Sequence, residues 1–350
     1  MSFWNGKRVL ITGHTGFKGA WAGRWLAKLG AEVTGVSLAP EPGPNIFSLL
    51  GEDHFSTSHF ADLRDARLIA EIVRKTQPDV VLHMAAQSLV RLSYADPLQT
   101  FSSNVLGTVH LLDALRRCAV PKAIVVITSD KVYENQNSDC ARQEKDRLGG
   151  YDPYSASKAA TEIVVSSYRR SYFSEMGVPI VTARAGNVIG GGDFSADRLI
   201  PDIVRALIEK TEPKIRNPNA IRPWQHILDC LNGYLAYAEA LVLGNTLPEA
   251  LNFGPLIGSG PLTVGELAHG FMSKMGCEMA TYAQGESGPY EMELLSIDSS
   301  LSMSSLQWKP KIENRAAIEL TARWYEAFIA GDQMRMLTDF QIGTFQELSQ

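Results

Sequence analysis

An apolar run that ends in evenly spaced glycines and leads into an amphipathic helix leaves a chain few folds to choose from. Here the run is Lys7 to Thr12 (KRVLIT), continuous rather than alternating, as in a strand buried on both faces. Gly13-His14-Thr15-Gly16-Phe17-Lys18-Gly19 follows, then a helical pattern through Trp21, Trp25, Leu26 and Leu29. Glycines let the backbone approach a ligand closely, and a helix N-terminus offers free N–H groups and a partial positive charge. The unit therefore suits a pyrophosphate.

The same alternation continues. A second strand, Glu32 to Val36, ends at Ser37-Leu38-Ala39-Pro40, with neither an acid for a ribose 2′-hydroxyl nor an arginine for a 2′-phosphate. NAD is the expected cofactor rather than NADP. Asp62-Leu63-Arg64-Asp65 precedes a helical pattern through Ile69, Ile72 and Val73; Asp62 is either an adenine ligand or a helix N-cap. The strand Val80-Val81-Leu82-His83-Met84 runs into Ala85, Ala86 and Gln87, small enough at first to admit a flat ring or ribose. Asn104 lies in a helical stretch reaching Leu115, before a strand from Ala123 to Ile127. Strands alternating with helices predict an α/β fold: a doubly wound, Rossmann-type parallel sheet with ligands beyond the strands' carboxyl ends. Residues 1–186 are expected to form the dinucleotide-binding domain. Residues 187–350 should form a smaller α/β substrate domain, partly interleaved with it.

Composition removes other classes. The chain has 350 residues, 20% of them charged, and a net charge of −5, so no basic face for nucleic acid is expected. An anionic substrate must be held by local arginines or backbone N–H groups. Cys118, Cys140, Cys230 and Cys277 are scattered, which suits neither a zinc site nor a disulfide framework. No apolar run approaches the roughly 18 residues of a membrane span, and no leader precedes the glycine turn, so a cytoplasmic protein is expected.

The chemistry concentrates between Ile127 and Lys158. Asp152 can cap a helix that Pro153 begins, and Tyr154 and Lys158, four apart, then share one face. A free phenol titrates near ~10, too high for a base at neutrality. An ammonium and a cationic nicotinamide beside it would favour the phenolate. Asp130 and Lys131 stand in the same stretch, after Thr128 and Ser129. Read without function, they are an ion pair at a strand end. Residues 134–149 are polar, a surface loop expected over the site. Downstream, Arg222 is the best pyrophosphate ligand, because its guanidinium is a planar fork. Asn187, Arg198 and Arg216 are further candidates, and His226 and Asp229 should anchor the fold.

TGHTGFKG at 12–19, the Asp62–Asp65 segment, the Tyr154/Lys158 pair and Arg184-Ala185-Gly186-Asn187 resemble an extended short-chain dehydrogenase/reductase acting on nucleotide sugars. HMAAQ at 83–87, LVRLSY at 89–94, SDK at 129–131, GNVIGGGD at 186–193 and IRPWQH at 221–226 narrow the resemblance to the nucleotide-sugar 4,6-dehydratases. It implies NAD held by the glycine turn with Asp62, Leu63, Ala85, Ala86, Gln87, Asn104, Thr128, Tyr154 and Lys158. It implies CDP-glucose as substrate, contacted by Arg91, Ser129, Asn187, Arg198, Arg216 and Arg222, and a homodimer or dimer of dimers. The implied reaction is internal redox. Tyr154 takes the 4-hydroxyl proton beside Ser129, Lys131 removes the C5 proton, and Asp130 protonates the departing C6 hydroxyl. Most such dehydratases resemble one another in carrying a glutamate where this chain has Lys131, and a lysine base must be neutral to act. An epimerase would need neither Asp130 nor Lys131, and a dinucleotide sensor would need none of the four.

Overall fold

The computed structural model describes residues 2–134, 140–255, 262–277, 280–283 and 292–348. Seven parallel strands form its centre. In chain order the first six are β1 (Arg8–Thr12), β2 (Glu32–Ser37), β3 (Thr57–Phe60), β4 (Val80–His83), β5 (Ala123–Ile127) and β6 (Ile180–Ala185). Ala250–Phe253 adds the edge beyond β6, and the sheet then runs β6, β5, β4, β1, β2, β3. The chain reverses direction across the sheet between β1 and β4, so a crevice opens there beyond the strand ends.

The runs of apolar residues follow from burial on both faces. In β5, Ala123, Val125 and Ile127 join one core, and Ile124 and Val126 join the other. Val9 and Ile11 of β1 face the first core while Leu10 faces the second. The helices that cover these faces include α1 (Phe17–Lys28), α2 (Ile46–Leu50), α3 (Ala66–Thr76), α4 (Val90–Ala95), α5 (Pro97–Phe101), α6 (Gly107–Cys118) and α7 (Pro153–Tyr168). Residues 187 onward carry α8 (Leu199–Glu209), α9 (Ile227–Val242) and short pairings such as Val188–Ile189 with Gln225–His226. His226 caps α9, and the Asp229 carboxylate accepts the Lys311 and Ile312 N–H groups at 2.8 and 2.9 Å. Both serve the fold. The four cysteines are free, and no described helix is long and apolar enough to cross a membrane.

β3, at the sheet edge, pairs only with β2. One feature differs from expectation. The described part of the loop expected over the site, residues 140–149, packs elsewhere. Its Arg142 N–H donates to the Ser296 carbonyl, and its Glu144 carboxylate accepts the Asn252 N–H.

Glu162 ties α7 to two strands. Its carboxylate accepts Thr128 Oγ1 at 2.5 Å, Thr182 Oγ1 at 2.7 Å, and Arg184 Nε and Nη2 at 2.9 and 2.8 Å. Glu162 and Arg184 are both buried, so removing the acid leaves an uncompensated guanidinium. Glu162→Ala is expected to cost about 3–5 kcal/mol of stability. Urea unfolding checks this: the midpoint should fall with the slope unchanged.

Acid should also unfold the chain steeply. Burial lowers His14 and His54 to about 4, and His83 and His226 to about 3. The unfolded chain takes these protons near pH ~6.5, whereas the native state refuses them until well below. Stability is thus intact above about pH 6.5 and lost as pH falls toward 4. Asp229, pushed up to about 6 by burial, gains a native proton in this window and offsets one histidine. Glu144, Asp202 and Glu239, also raised by burial, offset part of the rest, so the net expectation is a loss of at most about 4 kcal/mol per pH unit between pH 6 and 4.5, read from urea melts across that range.

Candidate active site

A cavity of about 550 Å³ opens beyond the carboxyl ends of β1, β4, β5 and β6. At its floor the glycine turn leads into α1. Gly13 has φ +79°, and a Cβ there would sit 2.8 Å from the Ala85 nitrogen. A Cβ on Gly19 would lie 2.1 Å from the Gly13 carbonyl oxygen. The turn therefore closes only with glycine at both points, against the small residues that leave β4. Thr15, Gly16, Phe17, Lys18, Leu63, Ala85, Ala86 and Gln87 also line the cavity. The turn's bare backbone at a helix N-terminus is the cradle a pyrophosphate requires, so these residues fit a dinucleotide.

At the end of β2, Thr15 Oγ1 hydrogen-bonds Ser37 Oγ at 2.9 Å and donates to the Leu38 carbonyl at 3.0 Å. Asp62 lines the cavity, and its carboxylate binds Arg64 at 2.6 Å. It is not the helix cap: Asp65 caps α3, accepting the Arg67 and Leu68 N–H groups.

Two residues expected at the cofactor do not line the cavity. His14 is fully buried among Phe47, Phe55 and Phe60, with Nε2 2.6 Å from Ser58 Oγ. Its ring fits only because residue 35 is glycine; a Cβ there would meet it at 2.3 Å. Burial keeps His14 neutral, so it offers a phosphate no charge. Asn104 does not line the cavity either. It sits in a π-helical turn between α5 and α6, accepts the Gln87 N–H at 2.7 Å, and donates to the Gln87 carbonyl and to Ser157 Oγ. It fixes the exit of β4 against α7. Thr128 reaches the cavity, but its hydroxyl is spent on Glu162.

α7 begins as its sequence requires, with Asp152 accepting the Ser155 N–H at 2.9 Å and Pro153 in the first turn. Tyr154 and Lys158 are both buried in the cavity wall. Lys158 Nζ donates to the Ile127 carbonyl at 3.1 Å. Burial, with Lys18 nearby, brings Lys158 down to about 7. Burial pushes the Tyr154 phenol up to about 12, only partly offset by its hydrogen-bonding contact with Ser129. Without added positive charge, Tyr154 therefore holds its proton at neutral pH. Lys18 itself donates to Tyr234 Oη at 3.3 Å rather than standing free for phosphate.

Ser129, Asp130 and Lys131 share this wall. Ser129 Oγ donates to Asp130 Oδ1 at 2.9 Å, and Lys131 Nζ lies 3.7 Å from the same oxygen. The ion pair is present, yet Asp130 Oδ2 is buried with no hydrogen-bond partner among the described residues. A buried carboxyl oxygen left without a partner beside a hydroxyl and a phenol marks a position where a ligand can complete the hydrogen bonding.

Arg91, Asn187, Arg198, Arg216 and Arg222 also line the cavity. Arg222 Nη1 donates to the Ile221 and Glu293 carbonyls at 2.8 and 3.2 Å, and Arg198 is paired with Asp193 at 2.9 Å. Asn187 Oδ1 is buried without a partner among the described residues. Ser88 and Asp197, which sequence reasoning missed, hold Arg198 and Arg216 respectively. Neither stands in a motif that would have marked it.

The chain is similar to known proteins over most of its length. A family model described as GDP-mannose 4,6 dehydratase matches residues 10–321. The chain is 40% identical to the CDP-glucose 4,6-dehydratase of Salmonella typhimurium, over 98% of this chain and 97% of that protein. It is 28% identical to the dTDP-glucose 4,6-dehydratase of the same organism, over 91% and 93%. Among solved structures, a dTDP-glucose 4,6-dehydratase of Streptomyces venezuelae with NAD bound superposes with a TM-score of 0.78 at 24% identity, covering 93% of this chain and 99% of that one. With a model spanning most of its length and a relative matched nearly end to end, the chain belongs to the GDP-mannose 4,6 dehydratase family.

Proposed function

We propose that the chain is an NAD-dependent hydro-lyase that converts CDP-glucose to CDP-4-keto-6-deoxyglucose and water. The observation that carries the reading is the placement of Asp130 and Lys131 beside Ser129 and Tyr154 in one cavity wall. Cytidine as the base rests on the 40% identical relative.

Bound NAD supplies a positive charge and a hydride acceptor that later serves as donor. The glycine turn, Asp62, Leu63, Ala85, Ala86 and Gln87 hold it. Tyr154 accepts the proton of the sugar 4-hydroxyl, while Ser129 orients that oxygen. Burial keeps the phenol protonated even with Arg198 nearby, and the added positive charge of a bound nicotinamide would be what favours the phenolate. A 4-ketone acidifies the C5 hydrogen; with the pair's proton resting on Asp130, the neutral Lys131 amine removes it and would return it to C5 once C6 has been reduced. Asp130 delivers a proton to the departing C6 hydroxyl through its open oxygen. Asn187, Arg216 and Arg222 hold the diphosphate, and the Arg198 guanidinium, fixed by Asp193, stands toward Tyr154.

Incubating the enzyme with CDP-glucose and NAD tests the reading. A dehydratase yields the base-labile absorbance of a 4-keto sugar without net NADH. CDP-galactose as the product would make it an epimerase, and no turnover a sensor.

A further inference from the structure

One carboxylate in the cavity lining is held between two arginines. Arg216 Nη1 donates to Asp197 Oδ1 at 2.8 Å, and its Nη2 donates to the Asp197 carbonyl at 3.2 Å. Arg91 Nε lies 3.8 Å from that same Oδ1. Arg91 belongs to α4, on the sheet-bearing half of the chain, and Arg216 to the short strand Lys214–Arg216 of the other half. All three residues line the cavity. Asp197 has φ +60°, a left-handed backbone that a non-glycine residue holds only against strain.

We propose that Asp197 is an internal competitor for the substrate's diphosphate: its carboxylate occupies Arg91 and Arg216 until the incoming nucleotide sugar displaces it. The inference rests on the reading of the substrate as a nucleoside-diphosphate sugar. Asp197 engages both terminal nitrogens of Arg216, the second of which also lies 3.9 Å from Asp202 Oδ2, so a phosphate that forks this arginine through those nitrogens competes with the Asp197 carboxylate. A diphosphate brings more charge and more acceptor oxygens than a carboxylate. The exchange is cheap, because the Asp197 side chain is 39% exposed and such pairs are weak. The competitor therefore sets affinity rather than abolishing binding, and it returns when the product, which carries the same diphosphate, must leave.

Asn and Gly both tolerate a left-handed backbone, so Asp197→Asn and Asp197→Gly remove the charge without adding strain. With the NAD-loaded enzyme, CDP is titrated calorimetrically and CDP-glucose is used for kinetics. Both variants should bind CDP about three- to tenfold more tightly than wild type. KM for CDP-glucose should fall without a rise in kcat, and CDP affinity should depend more steeply on salt. Unchanged or weaker CDP binding in both variants would overturn the proposal and make Asp197 a residue that aims the arginines at substrate. Wild type that binds neither CDP nor CDP-glucose would instead remove the functional reading itself.

Discussion

Tyr154→Phe should lower turnover of CDP-glucose by about two to four orders of magnitude, the usual cost of losing a positioned acid–base group. The substitution deletes one oxygen and keeps a ring that is only 8% exposed, so the cavity wall and α7 stay in place. What disappears is the group that accepts the 4-hydroxyl proton and the hydrogen bond with Ser129. Dinucleotide binding, followed by fluorescence, should be nearly unchanged, because the glycine turn and the end of β4 form the cradle. A variant that kept more than a tenth of wild-type turnover would show that another residue takes the proton.

Lys131→Ala should produce a different failure. Oxidation at C4 depends on Tyr154 and Ser129, which the substitution leaves intact, so a 4-ketone can still form. Removal of the C5 proton depends on the amine, so solvent deuterium should cease to enter C5, with exchange slowed by about a hundredfold or more. Asp130 loses the amine 3.7 Å from its Oδ1 but keeps the hydrogen bond from Ser129. Mass spectrometry of substrate and product recovered from heavy water reads the exchange directly. Brisk C5 exchange in this variant would remove Lys131 as the base.

Much of this site could be read from residue order because its parts are local. The glycine turn, the small residues after β4, and Tyr154 with Lys158 on a capped helix each need only a few consecutive positions. The parts that escaped depend on distant segments. His14 counted among the cofactor residues as part of the glycine turn, because its cage comes from the distant Phe47, Phe55 and Phe60. Asn104 looked like a ligand because its true partners, Gln87 and Ser157, lie on two other elements. Glu162 gave no signal as one polar residue on a helix, yet it joins α7 to Thr128, Thr182 and Arg184. Ala250–Phe253 is too short to announce that it completes the first sheet from the second half of the chain.

The central claim is that a single hydride leaves and re-enters the same sugar on different carbons. CDP-glucose deuterated at C4, turned over together with unlabelled CDP-glucose, tests it most directly. The account predicts deuterium at C6 of product molecules that began with the label, and none in the rest. Product with no deuterium at C6, or with label shared between the two pools, would contradict it.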